Sequence, residues 1–527
     1  MANESSPGLR PRSVGLRGDW IASITNVAPT AATTLTMAAL IGASGLASPL
    51  ALLIAGAAML CCAVAYHRLN NWQASAAAPV EWVARGLSPI IGFAVGILVL
   101  MTALTSNIGN ITLIGSTVLS LVAPGETNNK PLTWVVATIV CLLVVAIAVI
   151  GVKVTIRFEG WVILVEYMII GSLAGWGLET ELTSHGHGIT APTWSWFTLS
   201  HSPGGSTGLI AGVVIATFLL GGWDSPIYLG DEQQRQRDPG RSVLISITFC
   251  TLWVIFLFVC LQGLAPSSAI SNNAANVLPF LAGRLGPKAF VDLVALAVIA
   301  SFATTIQSQI VDGSRIMFGM GRDRTVPRAL GRVNSRFRTP VAGLVVMGVI
   351  PVVALILYLA SASLEKTIVY IDSTGGLLFA GYYVVISLYS IWYYRTVLFR
   401  DMREFVMGLL LPLVGAGTLI YVIVKSLPGT PTPVKIIAVV LFLVGIPLAL
   451  LSKVITRAPF FATRRERYSE ETPQPVGSSL LCAVTRGWAG TMRSRSTTGP
   501  RCGPPGSAAR VDPPGPGPGR AGGAGGR

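Results

Sequence analysis

From Asp19 to about Ile455 the chain alternates between long apolar runs and short polar breaks. An apolar run of roughly 20 residues, wound as an α-helix, crosses the hydrocarbon core of a bilayer. The pattern predicts about 12 such spans, at 20–43, 46–66, 89–122, 132–151, 154–178, 207–230, 243–265, 288–318, 340–362, 367–394, 405–427 and 434–455. No room is left for a soluble domain. The first apolar run is long and its flank is polar and basic (Arg10, Arg12, Arg17), which argues against a cleavable signal peptide.

Two of the spans are interrupted. The first contains Asn26-Val27-Ala28-Pro29-Thr30-Ala31, where Pro29 removes a backbone donor and clashes with the preceding turn. The sixth contains Gly221-Gly222-Trp223-Asp224-Ser225-Pro226, which joins two helix-weakening glycines to a proline. Both spans are expected to unwind locally. Irregular backbone at membrane depth persists only where it lines a protein-enclosed or watery cavity. Two broken helices five spans apart are therefore the expected trace of an inverted repeat, spans 1 to 5 (19–178) against spans 6 to 10 (207–394), with a substrate held between the breaks and two extra helices following at 405–455. Ordinary proline kinks are the alternative.

Composition and charge narrow the class. With 52% hydrophobic and 12% charged residues over 527 positions, the chain is too apolar to cover itself with polar surface, so the bilayer must be its solvent. A net charge of +15 would suggest nucleic acid in a soluble protein. Here the charge follows topology instead. Most Lys and Arg fall in loops on one side, above all 315–338, whereas the other side holds only Lys130, Arg284, Lys288, Lys366, Lys425 and Lys435. By the positive-inside rule both termini are cytoplasmic, in a multi-pass protein of the inner (cell) membrane. The organisation expected is a cytoplasmic N-terminus at 1–18, a transmembrane domain at 19–455, and a disordered cytoplasmic tail at 456–527 rich in Arg, Ser, Pro and Gly. The tail's arginines either touch phospholipid or belong to an extension without function. The seven cysteines show no metal spacing and no disulfide framework.

A set of motifs carries a resemblance. After the sixth-span break, Gly222-Trp223-Asp224 is followed by Tyr228-Leu229-Gly230-Asp231-Glu232 and Asp238-Pro239-Gly240-Arg241; span 8 leads into Ser314-Arg315-Ile316, Gly321-Arg322-Asp323, Val326-Pro327, Leu330 and Thr339-Pro340. From about Gly18 to Ile455 the chain resembles the amino acid, polyamine and organocation permease superfamily. The resemblance implies an all-α membrane protein with a 5+5 inverted repeat of the LeuT-like kind. In two places the sequence departs from the family's usual pattern: Ala28-Pro29-Thr30-Ala31 stands where a Gly-Ser-Gly type break is usual, and Trp223 and Asp224 stand where Phe and Glu are commoner.

The resemblance also implies that a substrate carboxylate meets amides at the span 1 break and that its amine meets carbonyls of spans 1 and 6. Half-helix ends supply those partial charges. Candidate substrate-binding residues are Ala28, Pro29, Thr30 and Ala31 with Leu219, Leu220, Gly221, Gly222 and Trp223. Trp223 closes over the ligand or simply fills a gap between helices. Glu166, deep in span 5, is the charge most in need of a reason, because a carboxylate is expensive there. In several relatives a span 5 lysine at what looks like this position stands in for a sodium ion, and glutamate reverses that sign. Glu166 is the first candidate for the coupling proton and Asp224 the second; a permanently hydrogen-bonded acid and a helix cap are the respective alternatives.

Asn107, Asn110, Thr304, Gln307 and Gln309 read as interhelical glue or pathway lining, with glue favoured, and Asp231, Glu232, Arg322 and Asp323 as caps and inner-gate ion pairs. His185, His187 and His201 read as surface histidines. There is no His-Glu-x-x-His, Gly-x-Ser-x-Gly or phosphate loop, so an enzyme is not expected. No cofactor and no metal are expected. The expected function is secondary transport of an amino acid by alternating access, with proton coupling, or else of a polyamine or other organic amine; a channel or sensor of the same fold is the more distant alternative. The partners would be that small-molecule substrate, a coupling proton or counter-substrate, and membrane lipids, but no nucleic acid.

Overall fold

A computed structural model describes residues 8–126, 129–184, 188–356, 364–463 and 465, and of 364–369 and 372 the backbone alone. The tail beyond 465 and the pair His185 and His187 lie outside the described residues. Everything described falls within the compact unit 1–474. Among these residues the chain is all-helical, apart from one isolated bridge between Val14 and Gln233.

The helices are α1 (Leu16–Val27), α2 (Pro29–Ser44), α3 (Ser48–Trp72), α4 (Ala78–Gly86), α5 (Pro89–Val122), α6 (Lys130–Ile150), α7 (Val152–Thr183), α8 (Ser206–Leu219) and α9 (Asp238–Leu261). They continue as α10 (Ser267–Asn272), α11 (Val277–Leu285), α12 (Lys288–Arg322), α13 (Val341–Ala354), α14 (Leu364–Tyr393), α15 (Leu411–Ser426), α16 (Thr432–Leu443) and α17 (Gly445–Thr456). Among the described residues, 9 stretches are long and apolar enough to cross a membrane. The first, Leu16–Trp72, has 57 residues and bends at Gly45–Ala47. At the α-helical rise it is about 85 Å long, more than twice a hydrocarbon core. Two shorter apolar helices, α8 and α13, complete the set.

Which way each helix faces explains why it is tolerated in lipid. The peripheral α6, α7, α16 and α17 present exposed Ile139, Leu142, Leu143, Trp161, Met168, Val439, Val440 and Leu451. Such an apolar outer surface suits hydrocarbon. Polar groups turn inward instead: Thr30, Thr33, Asn107, Asn110, Glu166, Gln307, Gln309 and Asp312 are all buried. Polar side chains inside a membrane protein face the bundle interior for this reason. The centre is built by α1 and α2, packed against α7, α9 and α12, and by α8, packed against α2, α3 and α14.

Both expected interruptions are present. Ala28 takes the left-handed conformation at φ 44° and ψ 66°, which ends α1, and Pro29 opens α2 at a position where its missing N–H is not needed. In the sixth span α8 stops at Leu219, and the chain continues through Gly222 at φ +94° into a 3₁₀ turn at Ser225–Glu232. A positive φ of this kind favours glycine.

Candidate functional site

The two breaks are fastened to one another. The Ser23 hydroxyl donates to the Trp223 carbonyl at 2.7 Å, so the last turns of α1 hold the span 6 break. A β-carbon built at Gly222 would come within 3.1 Å of the Asn26 side chain, so only glycine lets these two backbones approach so closely. The Gly222 N–H, freed from the helical ladder, donates to the Tyr383 hydroxyl at 3.0 Å. Ala31 N–H, at the start of α2, donates to the Ser301 hydroxyl of α12 at 3.2 Å. Each orphaned backbone donor described here has found a side chain.

Asp224 does not cap the turn that follows it; its side chain makes no capping hydrogen bond. It accepts instead from three tyrosines: Tyr228 at 2.5 Å, Tyr382, and Tyr383 at 3.0 Å. Hydroxyl donors to a carboxylate form the stronger, charge-assisted kind of bond. Trp223 is fully buried, stacked on Tyr383 with centroids 4.7 Å apart and met edge-on by Tyr66 at 5.0 Å. Its indole N–H has no hydrogen-bond partner.

A cavity sits against these groups. Its lining includes Asn26, Gly222, Asp224, Tyr228, Gln309, Asp312, Phe379 and Tyr382. About 30 Å³ of it is open to water centres, room for roughly two water molecules. Of the residues expected to bind substrate, Gly222 lines the cavity and Asp224 joins it there. Ala28, Pro29, Thr30, Ala31, Leu219, Leu220, Gly221 and Trp223 are buried but are not among the residues that line the cavity. The structure thus brings the two breaks together around a space smaller than an amino acid.

Glu166 lies on the far side of the span 1 break. Its buried carboxyl sits beside the Thr30 and Ser301 hydroxyls, and Ser301 in turn holds the Ala31 amide. Span 5 is therefore linked to the break through α12. Further groups gather nearby that the sequence reading passed over. Asp312, in the middle of α12, accepts from the Asn26 side-chain amide at 2.9 Å through one oxygen. Its other oxygen has no hydrogen-bond partner. Glu159 is buried with an unpartnered oxygen and faces the charge of Arg315. Asp312 was findable by the reasoning that singled out Glu166, a carboxylate inside an apolar span. Tyr66, Tyr382 and Tyr383 carry a weaker signal, polar-tipped aromatics in otherwise apolar helices.

Toward the basic loops, the acids after the span 6 break are paired. Arg315 Nε donates to Glu232 at 2.6 Å, with both side chains almost fully buried. Arg322 bridges Asp231 at 2.9 Å and Glu81 at 3.0 Å. Backbone amides of Ser13 and Val14 donate to the Glu232 carbonyl, which anchors the N-terminal segment to the same place. Asp323, just beyond the end of α12, is pushed up to about 6 by burial and by the neighbouring Glu81 and Asp231. Gln309 donates to Ser106 at 2.8 Å and Gln307 to Thr155 at 3.2 Å, as interhelical glue would. His201 bonds the Ser195 hydroxyl at 2.8 Å, and among the described residues no group of His, Cys, Asp or Glu is arranged to hold a metal.

Broken helices meeting inside a helical bundle with an apolar outer surface mark a multi-pass membrane protein. Residues 20–461 match the amino acid permease family, and the chain belongs to it. It is similar to a methylthioribose transporter of Bacillus subtilis, 24% identical over 205 residues that cover 39% of this chain and 41% of the relative. A branched-chain amino acid permease of Lactococcus lactis is 25% identical over 36% of this chain and 40% of its own length. The match therefore spans only about two fifths of each of these two relatives. A low-affinity putrescine importer of Escherichia coli is 23% identical over 70% of this chain and 79% of its own. In fold, the chain resembles a manganese transporter of Eremococcus coleocola, with a TM-score of 0.54 at 15% identity, covering 84% of this chain and 94% of that one. The family is one of permeases, not enzymes.

Proposed function

We propose that the chain is a secondary permease that carries an amino acid or a related organic amine across the cell membrane by alternating access, coupled to a proton. The observation that carries this reading is the meeting of the two breaks, Ala28 against Gly222 through Asn26, at a cavity lined by Asp224. The family match and relatives that import amino acids or putrescine support the same cargo. In this reading the 12 crossings are the 9 long stretches, the first taken as two, with α8 and α13 added. Spans 1 to 5 and 6 to 10 form the inverted repeat, and the basic loops put both termini in the cytoplasm. The transporter domain runs from 19 to 455.

The amine of the cargo faces Asp224, while Ala28, Pro29, Thr30, Ala31, Leu219, Leu220, Gly221, Gly222 and Trp223 supply shape and backbone dipoles. Loading requires the aromatic side chains over the cavity to swing aside, since two waters' worth of room holds no amino acid. Glu166 takes and releases the coupling proton, because it lies next to the span 1 break and has hydroxyls, not a basic partner, beside it. Asp224 is the second acid of the cycle. The test is accumulation of labelled solute by purified protein in liposomes under an inward proton gradient. Wild type should concentrate the solute, and Glu166→Gln should abolish the response to the gradient; undiminished gradient-driven accumulation by that variant would remove the proton role.

A further inference from the structure

The cavity holds two carboxylates, and only one of them is provided for. We propose that Asp312 and Asp224 together form a subsite for the cationic nitrogen of the cargo, and that the cargo is an organic cation with no carboxylate of its own. The proposal rests on the permease reading and narrows it. Asp312 stands mid-helix in α12, nine-tenths or more buried, with the Asn26 amide on one oxygen, the Ser225 hydroxyl close by, and no hydrogen bond made by the other oxygen. Both aspartates line the same cavity, and among the described residues no Lys, Arg or His does. Arg315, the cation nearest in effect, is bonded to Glu232 and also faces Glu159. One guanidinium thus serves several acids, and it does not reach the cavity lining where the two aspartates stand.

Most of the donors at the two breaks are already engaged, leaving the Trp223 indole N–H and the Thr30 hydroxyl. Pro29 has no N–H, Ala31 gives its N–H to Ser301, and Ala32 bonds the Ala28 carbonyl. At the other break, Gly222 gives its N–H to Tyr383 and the Asn26 amide serves Asp312. Acceptors, by contrast, converge on the cavity. Tyr228, Tyr382 and Phe379 line it as well, and aromatic faces attract ammonium groups. A desolvated ammonium between two carboxylates and aromatic rings is a matched ligand, whereas a zwitterion would bring its carboxylate toward two aspartates.

The test uses the full chain purified in detergent, with n-butylamine, 1,4-diaminobutane, L-leucine and L-arginine as probes, binding being read by equilibrium dialysis and thermal shift. The amines should bind at least tenfold more tightly than leucine. Asp312→Asn should lose at least tenfold in amine affinity while keeping its ligand-free melting temperature, and Asp312→Glu should retain more of the affinity than the Asn variant. Leucine or arginine binding in preference to both amines would overturn the inference and leave the permease reading standing, on wild-type protein alone. Amine affinity unchanged within twofold in Asp312→Asn would overturn the role of Asp312. Silence from all four probes, together with no accumulation of any of them in liposomes, would overturn the inference and the permease reading with it.

Discussion

Removing Arg315 should damage this protein more than removing the acid it is bonded to. The guanidinium is bonded to Glu232 at 2.6 Å in an almost fully buried pair, and its charge also acts on Glu159 and Asp312. Arg315→Met therefore strands three buried acids at once. Breaking a buried pair by deleting one partner costs about 3–5 kcal/mol, and the stranded acids place this variant at the upper end. Glu232→Gln keeps an acceptor for the guanidinium and leaves Arg315 two other acids to face. The loss there should be nearer that of one weakened charged hydrogen bond, about 1.5–3 kcal/mol. The double variant, Arg315→Met with Glu232→Gln, should recover part of the loss of Arg315→Met alone, because one stranded charge is gone. The assay is thermal unfolding in detergent followed by tryptophan fluorescence, compared at one heating rate because membrane proteins often unfold irreversibly. Equal destabilisation by the two single variants, or a double variant no better than Arg315→Met, would refute the reasoning.

Other expectations follow from single contacts. Gly222→Ala should destabilise by about 1–3 kcal/mol, the cost of a non-glycine residue forced to this φ, and should abolish uptake by pushing Asn26 away; normal uptake would contradict it. Tyr383→Phe removes both a donor to Asp224 and the acceptor of the Gly222 N–H, so it should cost about 1–3 kcal/mol in thermal stability and slow uptake. Asp323 is held near 6 in the fold against 3.8 as its ordinary value. The folded state therefore holds this proton more tightly than the unfolded chain does, and stability should fall as pH rises from about 4 to about 6. Melting curves should show that slope in wild type and a shallower one in Asp323→Asn; identical slopes would count against it.

Much of the architecture was legible because the bilayer imposes one simple rule, an apolar run long enough to cross. The span expected at 89–122 coincides with α5, and that expected at 154–178 lies inside α7. The helix ends were less legible. Helix α3 runs on to Trp72 because polar Asn70 stays in helical register and donates to the Gln236 carbonyl at 2.8 Å. Helix α4, with Glu81, Trp82 and Arg85, and the short α10 and α11 were missed, since none is long or uniformly apolar enough to register as a span. The two breaks were readable because Pro29 and the Gly221-Gly222 pair leave local backbone signatures. The partners of the breaks were not. Nothing local to Asp224 announces that Tyr382 and Tyr383 arrive from a helix more than 150 residues away. Asp312 was readable in principle and was overlooked among the neighbouring glutamines.

The permease reading stands most directly on whether a solute bound at the breaks is carried, not conducted. Entrance counterflow decides this: liposomes holding the purified chain are loaded with unlabelled solute, the proton gradient is collapsed with an uncoupler, and traces of labelled solute are added outside. A carrier that alternates access around the site between Ala28 and Gly222 predicts transient accumulation of label above its outside concentration, lost in Gly222→Ala. Label that only equilibrates, with no overshoot from the wild-type chain, would contradict it.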